Sequence, residues 1–241
     1  DPTVMLEAAK LDGVTIATPP ADHAEIAIAC LDRGLHVLCE KPLALTTRAA
    51  LAMLKAAARN ERQLLLATKF RHVPELATAR ERIASGKLGD PVVFEVSFCS
   101  PVDMSKRWNA QRRVAGGGVI IDNGCHAFDI MSYLFGSVTR VQTNLHRPLQ
   151  RIGVEDGATI QVRAGDGIVG KADVSWSLST GRNSYVKVHG SLGTIEVGWR
   201  ETRVKYLGSD WQKIGGAYDK IDAHRRMQTC FVEATQSNGA T

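Results

Sequence analysis

Several common sequence signals are absent from these 241 residues, and each absence narrows the possible functions. No Gly-x-Gly-x-x-Gly turn occurs in the first 75 residues, and the one such string, at residues 165–170, lies among alternating strand-like runs rather than between a strand and a helix, so the usual phosphate-binding loop of dinucleotide-binding folds has no candidate in the chain. No His-Glu-x-x-His string and no Cys-x-x-Cys pair occur, and the histidines show no ligand spacing, so we predict no metal site. No apolar run approaches the ~18–20 residues of a membrane-spanning helix, so we expect no membrane partner.

Aromatic residues and clustered charge are also scarce. The chain has 4 Trp, 4 Tyr and 6 Phe, and its net charge of +5 comes from Lys and Arg residues that are spread along the sequence. Nucleic-acid binding usually requires a basic patch and aromatic side chains for base stacking, so we predict no nucleic-acid partner. Dispersed positive charge suits small anionic molecules at least as well.

The five cysteines are scattered in apolar surroundings and form no obvious pairs. They are Cys30, Cys39, Cys99, Cys125 and Cys230. An odd number of scattered cysteines is typical of reduced thiols, so we expect a cytoplasmic protein. The chain begins at Asp1 rather than Met and ends without a clear terminal element, and we interpret it as a piece of a longer protein.

Residues 1–75 alternate strand-like and helix-like segments. Apolar runs at residues 14–18, 35–39 and 64–67 are typical of strands that are covered on both faces. The two segments between these runs have apolar residues at helical spacing. Strands joined by helices imply right-handed βαβ crossovers, so we predict a parallel sheet and the α/β class for this part of the chain.

The ends of these two helices carry signals of their own. Asp22 and Glu25 have the spacing of a capping box, which predicts side-chain capping of the first helix. Gly34 lies where that helix is expected to end, because glycine tolerates a left-handed backbone. Thr46 or Thr47 is expected to cap the second helix.

The rest of the chain alternates apolar and polar residues with the period of a half-buried strand. Such runs occupy residues 92–99, 158–162, 174–178 and 195–199. They predict a large, mostly antiparallel open sheet, so the chain as a whole is α/β plus α+β. Because the composition changes between residues 70 and 90, we assign residues 1–75 to the first domain and residues 76–241 to the second.

Two helices are predicted within the second domain. One runs from Asp122 to Phe135, and Gly136 is expected to stop it. The other is a last amphipathic helix, marked by apolar residues that include Met227 and Phe231.

Charged and conformationally fixed residues follow each predicted parallel strand. The three strand ends read Thr18-Pro19-Pro20, Glu40-Lys41-Pro42 and Lys69-Phe70-Arg71. Ligands of parallel sheets bind beyond the carboxyl ends of the strands, so these residues predict a ligand crevice. Proline is also a common turn residue, so Pro19 and Pro20 alone are equally compatible with plain turns. Lys41 is more informative, because a charged residue directly after a buried strand needs a partner or a function.

Lys41, Asp122 and His126 form a candidate proton-transfer set. Oxidation of an alcohol needs a base for the hydroxyl proton, and histidine is the usual base near neutral pH. Asp122 and His126 stand four residues apart, so both project from one face of the predicted helix. We expect the carboxylate to orient the ring, or both groups to contact substrate hydroxyls, while Lys41 stabilises charge on the reacting oxygen. A solvated ion pair or a capping contact is the alternative for the Asp–His pair.

Two further features have more than one interpretation. The Gly116-Gly117-Gly118 triplet lets the backbone come close to another surface or to a ligand, and it is also compatible with a plain loop. His23 lies in the first turn of a helix at a strand end, where a cofactor contact and a plain surface role are equally compatible with the sequence.

These motifs together resemble the Gfo/Idh/MocA family of NAD(P)-dependent oxidoreductases. The matching segments are residues 14–19 with His23, 34–44, 85–89 and 116–136. The Glu-Lys-Pro string and the spacing from the triple glycine to the histidine are together highly specific, and the resemblance covers nearly the whole chain. It implies an N-terminal Rossmann domain and a C-terminal domain with a large open sheet. That sheet commonly forms subunit interfaces in the family, so a homo-oligomer is expected.

The resemblance also implies an activity and residue roles. The activity is hydride transfer between NAD or NADP and a hydroxyl or keto carbon of a sugar, cyclitol or nucleotide-sugar. Lys41 matches the family's lysine beside the nicotinamide, and Asp122 and His126 match its substrate-binding aspartate and proton-transferring histidine. The matched cofactor positions are Thr18, Pro19, His23, Glu40 and Lys41. Substrate contacts are implied for Lys69, Arg71, Asp122 and His126.

One part of the family pattern is missing from the chain. The family's Gly-rich turn after the first strand, and the residue that selects NAD or NADP, would both precede residue 1. We therefore expect only half of a cofactor site within these residues. Two alternative functions are a non-redox glycosidase that uses bound NAD transiently and a sugar-binding fragment without catalysis.

Overall fold

Parallel pairing organises the first part of the chain in the computed structural model, which describes Val4 and residues 10–236. The strands β1 (Gly13–Ile16), β2 (His36–Cys39) and β3 (Leu64–Leu66) form a three-stranded sheet in the order β1-β2-β3. Both pairings are parallel, with Val37 of β2 opposite Val14 on one side and Leu64 on the other. The predicted parallel sheet is therefore confirmed, although each strand is shorter than its apolar run.

Helix α1 (Pro20–Asp32) connects β1 to β2, and its start differs from the prediction. The predicted capping box is wrong, because Pro19 precedes the first turn and no side chain caps the helix. Pro20 begins the helix instead, since its ring fixes φ at a helical value. Asp22 consequently lies inside the first turn.

Helix α2 (Thr47–Arg59) connects β2 to β3 and begins as predicted. The Thr46 hydroxyl oxygen accepts a hydrogen bond from the Ala49 amide at 3.2 Å. Gly34 follows the end of α1 with a φ of +78°, so its predicted left-handed conformation is also confirmed.

The second sheet contains eight strands and is mixed. In chain order they are β4 (Pro91–Cys99), β5 (Val138–Leu145), β6 (Gly157–Ala164), β7 (Ile168–Ser175), β8 (Ser184–Gly190), β9 (Gly193–Gly198), β10 (Thr202–Tyr206) and β11 (Gln212–Gly215). Their spatial order is β11-β10-β9-β8-β4-β7-β6-β5. Among the pairings of the described residues in this sheet, only that of β4 with β7 is parallel. The predicted, mostly antiparallel sheet is confirmed.

Two details of the predicted strands are wrong. Val92 is 57% exposed although the alternation places it on the buried face, because the register between β4 and β8 shifts at this point. β7 ends at Ser175, so Trp176 and Leu178 lie beyond the strand. The Trp176 amide donates instead to the carbonyl oxygen of Asp156 at 2.9 Å.

Helices α3 (Pro74–Ala84) and α5 (Val119–Phe135) pack on one face of this sheet, and the short helix α4 (Arg112–Ala115) precedes α5. The predicted helix of residues 122–135 is confirmed, and it begins three residues earlier, at Val119. Phe94 and Ile160 of the sheet and Ile130 of α5 are buried together in this core. A short 3-10 helix (Trp108–Ala110) lies in the loop before α4.

The last helix, α6 (Lys220–Gln236), returns to the first sheet. Its Met227 and Phe231 pack with Leu38 of β2 and with Ala67, which confirms the predicted amphipathic helix. A second 3-10 helix (Lys69–His72) follows β3 and contacts both α5 and α6. The carboxyl ends of the parallel strands therefore meet α5 and α6 in one region.

The cysteines and helices of the described residues show two general properties. All five cysteines are free thiols, as predicted. None of the helices in the described part of the chain combines the length and apolar character that a bilayer crossing requires.

Candidate active site

Lys41 and Asp122 join the two sheets. Lys41 follows β2 directly, and its Nζ donates hydrogen bonds to the Asp122 carboxylate and, at 3.0 Å, to the Asp122 carbonyl oxygen. Asp122 lies in the first turn of α5. The side chains are only 17% and 26% exposed, so the pair is largely withdrawn from water. The partner that Lys41 needs is therefore a carboxylate from the helix on the other sheet.

Glu155 holds the start of α5. Its Oε1 accepts hydrogen bonds from the backbone amides of Gly118 and Ile120 at 2.8 and 3.3 Å. Its carbonyl oxygen accepts a third from the Val119 amide at 3.0 Å. A carboxylate at this position satisfies amides that have no partner within the helix and interacts favourably with the helix dipole. These contacts fix the direction in which Asp122 projects.

The three glycines before α5 permit close packing within the protein. A Cβ on Gly118 would lie 2.0 Å from the Glu155 carbonyl oxygen, and a Cβ on Gly116 would lie 2.8 Å from Leu45 Cδ2. Gly116 also has a φ of +87°, which favours glycine. Of the interpretations of the triplet, the structure supports close approach to another protein surface. The contact with Leu45 brings the loop against the segment that follows Lys41.

His126 lies one helical turn beyond Asp122, against the ring of Phe70. The two rings meet edge-on with centroids 5.0 Å apart. Burial first, and then nearby positive charge, lowers the pKa of His126 to about 2, so its ring is neutral. The charged neighbours are Lys41, Lys69 and His224. Within the described residues, the ring nitrogens have no hydrogen-bond partner.

Asp122 orients Lys41 rather than His126. Its carboxylate is bonded to the ammonium, and no hydrogen bond joins it to the imidazole in the described part of the chain. The expectation that this carboxylate orients the ring is therefore wrong. The physical reason is that a charge-assisted bond to an ammonium is stronger than a bond to a neutral ring.

Lys69 and Arg71, which begin the 3-10 helix after β3, lie in different surroundings. Lys69 Nζ is 5.4 Å from the centre of the Phe70 ring, and its charge acts on His126. Arg71 Nε donates to Asp129 of α5 at 2.6 Å. Arg71 also lines a groove between α3 and α6. The structure thus places Lys69 on the Phe70 ring that also contacts His126, and it places Arg71 in the neighbouring groove.

His23 ties the ends of β1 and β2 together. Its ring nitrogens lie 2.8 Å from the Pro42 carbonyl oxygen and 2.9 Å from the Thr18 carbonyl oxygen, and the residue is fully buried. A plain surface role for His23 is therefore wrong. The neighbouring Glu40 carboxylate accepts a hydrogen bond from the Lys41 amide at 3.1 Å. These bonds fix the edge of the crevice.

Trp108 and Asn109 also belong to the site, although no motif in the sequence marks them. Together with Lys41 and Asp122 they line a small cavity of about 20 Å³. Trp108 is 42% exposed, and nothing in the local sequence distinguishes it from an ordinary surface aromatic residue. That the loop folds back over Lys41 is visible only in the structure.

Lys220 and His224 of α6 were also missed. Their spacing places them on one face of the helix. The positive charge of Lys220 acts on Lys69, and the positive charge of Lys69 acts on His224. That face is turned toward the strand ends because Met227, further along α6, packs on Leu38. Only tertiary packing could reveal this position.

The groups around the crevice suit hydride-transfer chemistry that is assisted by proton transfer. A neutral imidazole accepts a proton, and an ammonium stabilises charge on an oxygen. The buried Thr18 hydroxyl has no hydrogen-bond partner among the described residues, and an orphaned buried hydroxyl is unusual in native proteins. It fits a polar group supplied by a ligand at the end of β1. The residues present therefore fit the nicotinamide end of NAD or NADP, which binds at strand ends in such folds.

Two family models match the chain. Residues 1–68 match the oxidoreductase family with an NAD-binding Rossmann fold. Residues 76–196 match the Gfo/Idh/MocA C-terminal domain. The two matches together include Lys41, Asp122 and His126.

Two curated relatives are dehydrogenases. Levoglucosan dehydrogenase of Pseudarthrobacter phenanthrenivorans is 32% identical over 249 residues, which cover 91% of this chain. D-apiose dehydrogenase of Paraburkholderia graminis is 32% identical over 203 residues, which cover 82% of this chain. The chain spans 61% and 53% of the lengths of these two proteins.

Solved structures share the fold. Levoglucosan dehydrogenase in complex with NADH and levoglucosan aligns with a TM-score of 0.88 and 25% identity, over 100% of this chain and 75% of that chain. An inositol dehydrogenase homologue from Azotobacter vinelandii, complexed with NAD⁺, gives a TM-score of 0.88 and 22% identity, over 99% and 72%. With both of its parts matched by family models, the chain belongs to the Gfo/Idh/MocA oxidoreductase family.

Proposed function

We propose that the protein containing this chain is an NAD(P)-dependent dehydrogenase or reductase that acts on a sugar, a cyclitol or a nucleotide-sugar. The observation that carries the proposal is the bond between Lys41, which follows β2, and Asp122 of α5, with His126 one turn further along the same helix. Family membership supports the proposal, and so do the names of the relatives, which include an inositol 2-dehydrogenase.

The cofactor, NAD or NADP, would lie against the ends of the parallel strands. Thr18, Pro19, Glu40 and Lys41 would contact its nicotinamide end, and His23 would position them by joining the two strand ends. When bound, the nicotinamide ring supplies the hydride acceptor or donor. The buried Thr18 hydroxyl without a partner supports this placement.

The chain's own residues would handle the proton. In alcohol oxidation, a nitrogen of the neutral His126 ring accepts the hydroxyl proton as the hydride leaves the adjoining carbon. Lys41 donates a hydrogen bond to the reacting oxygen and stabilises its developing charge. Asp122 holds Lys41 in place and contacts a substrate hydroxyl. Reduction uses the same groups in the reverse order.

The lowered pKa of His126 couples this proton transfer to ligand binding. With a pKa of about 2, the ring is a weak base at neutral pH. Negative charge that enters the crevice favours the protonated ring and so strengthens the base. The developing charge on the substrate oxygen beside Lys41 is one source of such charge.

Lys69 and Arg71 are proposed as further substrate contacts. The contact of Lys69 with the Phe70 ring, which also contacts His126, supports its role. Arg71 is supported less directly, because its guanidinium is occupied by Asp129 and lines the groove beside α6.

Steady-state assays with NAD⁺ or NADP⁺ and a panel of sugars and cyclitols test the activity in the complete gene product. We expect His126→Asn and Lys41→Met each to lower kcat/KM by about 10²–10⁴-fold. Lys55→Met, on the exposed side of α2, is the matched control and should leave turnover unchanged. Unchanged turnover in the first two variants would refute the assigned roles. Glycoside cleavage without a net change in nicotinamide absorbance would favour the glycosidase alternative.

We also propose that the protein is a homo-oligomer formed through the open face of the second sheet. On the part of that face near β5, a shallow cavity of about 500 Å³ is lined by Val93 and Val169 together with polar and cationic side chains: Gln142, Gln161, Arg140, Arg163 and Lys171. Val169 is 44% exposed, so the second copy would bury apolar surface here. The family resemblance supports the same face.

A cytoplasmic location is proposed from the cysteines. Burial raises the pKa of Cys39 to about 12, and it also raises the pKa of Cys30. Both thiols are therefore unreactive within the core. Free, scattered thiols are typical of reducing compartments such as the cytosol.

A further inference from the structure

Lys69, unlike Lys41 and Arg71, has no anionic partner within the described residues. Lys41 is paired with Asp122, and the neighbouring Arg71 is also paired. The half-buried Lys69 ammonium contacts the Phe70 ring, 5.4 Å from the ring centre. No carboxylate of the described residues lies within ion-pair distance of it.

The surroundings of Lys69 are unfavourable for its charge. Burial, followed by repulsion from Lys220 and Lys41, lowers the pKa of Lys69. Attraction by Glu40 and Asp122 does not offset these effects. An unpaired ammonium that has lost part of its hydration is stabilised when an anion binds to it. Lys220 adds to this attraction for an anion, because it too has no ion-pair partner among residues 10–236.

The unpaired ammonium lies within reach of the proposed reaction centre. The Phe70 ring contacts both the Lys69 ammonium, at 5.4 Å from the ring centre, and the His126 imidazole, with centroids 5.0 Å apart, and the charges of Lys41 and Lys69 both act on His126. The 3-10 helix that carries Lys69 contacts α5, which carries His126. An anionic group bound at Lys69 would therefore belong to the molecule whose hydroxyl faces His126.

We propose that Lys69, assisted by Lys220, binds an anionic substituent of the substrate, either a carboxylate or a phosphate ester. This inference rests on the proposed function and narrows its substrate class to polyhydroxylated anions, such as sugar acids and sugar phosphates. Lysine suits both groups, because its ammonium is a compact point charge with three donors.

The bound anion would also act on the proposed base. Its negative charge offsets part of the positive charge that Lys41 and Lys69 impose on His126. The protonated ring then becomes more favourable, and the neutral ring becomes a stronger base. An anionic substrate would in this way activate its own proton acceptor, whereas a neutral analogue would not.

Isothermal titration calorimetry on the complete protein tests the proposal. The probes are the methyl glycoside of glucuronic acid, a glucose phosphate and the neutral methyl glucoside, each with and without NAD⁺. We expect at least one charged sugar to bind about tenfold more tightly than the neutral glycoside. Lys69→Met should abolish this preference, Lys69→Arg should retain it, and Lys55→Met should not change it.

The outcomes separate this inference from the proposed activity. The inference is overturned when neither charged sugar binds more tightly than the neutral one, or when Lys69→Met keeps the preference. Weaker NAD⁺ binding in Lys69→Met with an unchanged sugar preference would assign Lys69 to the cofactor phosphates instead. Charged-sugar binding that depends on Lys69 but leads to no hydride transfer would refute the proposed activity and leave the inference standing.

Discussion

Charge pairing decides which side chains of the crevice are available to a ligand. Lys41 is bound by Asp122, so it can hold a ligand oxygen in a fixed position. His126 and Lys69 have no hydrogen-bond or ion-pair partner within the described residues. His126 can therefore accept a proton, and Lys69 can bind an anion. The role of each side chain depends on whether another residue already neutralises its charge.

Acid is expected to destabilise the folded chain through His126. The pKa of its ring is about 2 in the folded chain and about 6.5 in the unfolded chain. Between about pH 6.5 and about pH 2, therefore, the unfolded state binds a proton at this ring and the folded state does not. The free energy of unfolding is therefore unaffected by this group above about pH 6.5 and falls on acidification, by about 1.4 kcal/mol per pH unit. Urea unfolding at a series of pH values measures the slope.

The variant His126→Gln isolates this contribution. It should flatten the acid slope, and its stability relative to the parent should be constant above about pH 7. A residual slope is expected, because burial also lowers the pKa values of His36, His72 and His224. An acid slope identical to that of the parent would contradict the assignment to His126.

The pairing of Lys41 with Asp122 should appear as a coupling energy. Each of Lys41→Met and Asp122→Asn leaves a partly buried group without its partner, whereas the double variant removes both charges. A double-mutant cycle on the free energy of unfolding should give a coupling of about 0.5–3 kcal/mol. Strictly additive single effects would show that water solvates both charges in the folded state.

Helix α5 shows what a sequence pattern predicts and what it omits. Its apolar spacing and Gly136 predict the body and the end of the helix correctly. Its start at Val119 was missed, because the residue that caps it, Glu155, comes from a distant loop. Local patterns cannot contain a cap supplied by another part of the chain.

Two glycines of the same region should respond oppositely to alanine. Gly118→Ala is expected to destabilise the fold by more than about 1–3 kcal/mol, because its Cβ would lie 2.0 Å from the Glu155 carbonyl oxygen. Gly124→Ala, within α5, should stabilise by about 0.5–1 kcal/mol, since its nearest contact would be Ile120 Cγ2 at 3.6 Å. Chemical unfolding measures the free energy of unfolding of each variant. Equal changes in the two variants would contradict the packing described for Gly118.

Helix α6 should depend on one aromatic anchor. Phe231→Ala is expected to lower the free energy of unfolding by about 3–5 kcal/mol, because Phe231 is buried with Leu38 and Ala67. Val232→Ala is the matched control, since Val232 is half exposed and should change stability by less than about 0.5 kcal/mol. Similar losses in the two variants would mean that α6 is held by something other than this contact.

Features of this molecule that depend on neighbouring residues in the sequence could be predicted, whereas features that depend on contacts between distant residues could not. The two sheets were predictable because continuous apolar runs and strict alternation are local signals. The strand order of the second sheet could not be predicted, because it depends on pairs such as β4 with β7, which are far apart in the sequence. Lys41 and His126 could be identified from their motifs, whereas Lys220 and Trp108 reach the crevice only through tertiary packing.

The open face of the second sheet carries its own charge balance. Lys171, Glu95, Lys187, Glu196 and Arg203 lie opposite one another on five adjacent strands and alternate in sign. Two of the resulting ion pairs, Lys187–Glu196 and Arg203–Glu196, have distances of 3.1 and 2.8 Å. Because these charges neutralise each other within the sheet, a second copy is not needed to pair them.

The proposed subunit contact is therefore expected at the β5 end of this face, around Val93 and Val169. Sedimentation of the complete protein should show an oligomer, and Val169→Lys should shift it toward the monomer, because it adds a charge beside Arg163 and Lys171 on a surface that the contact would bury. Leu54→Lys is the matched control, since Leu54 is similarly exposed but lies on α2, away from the sheet. A monomeric parent protein would remove the proposed interface altogether. Dissociation by Leu54→Lys but not by Val169→Lys would move the interface to the first domain.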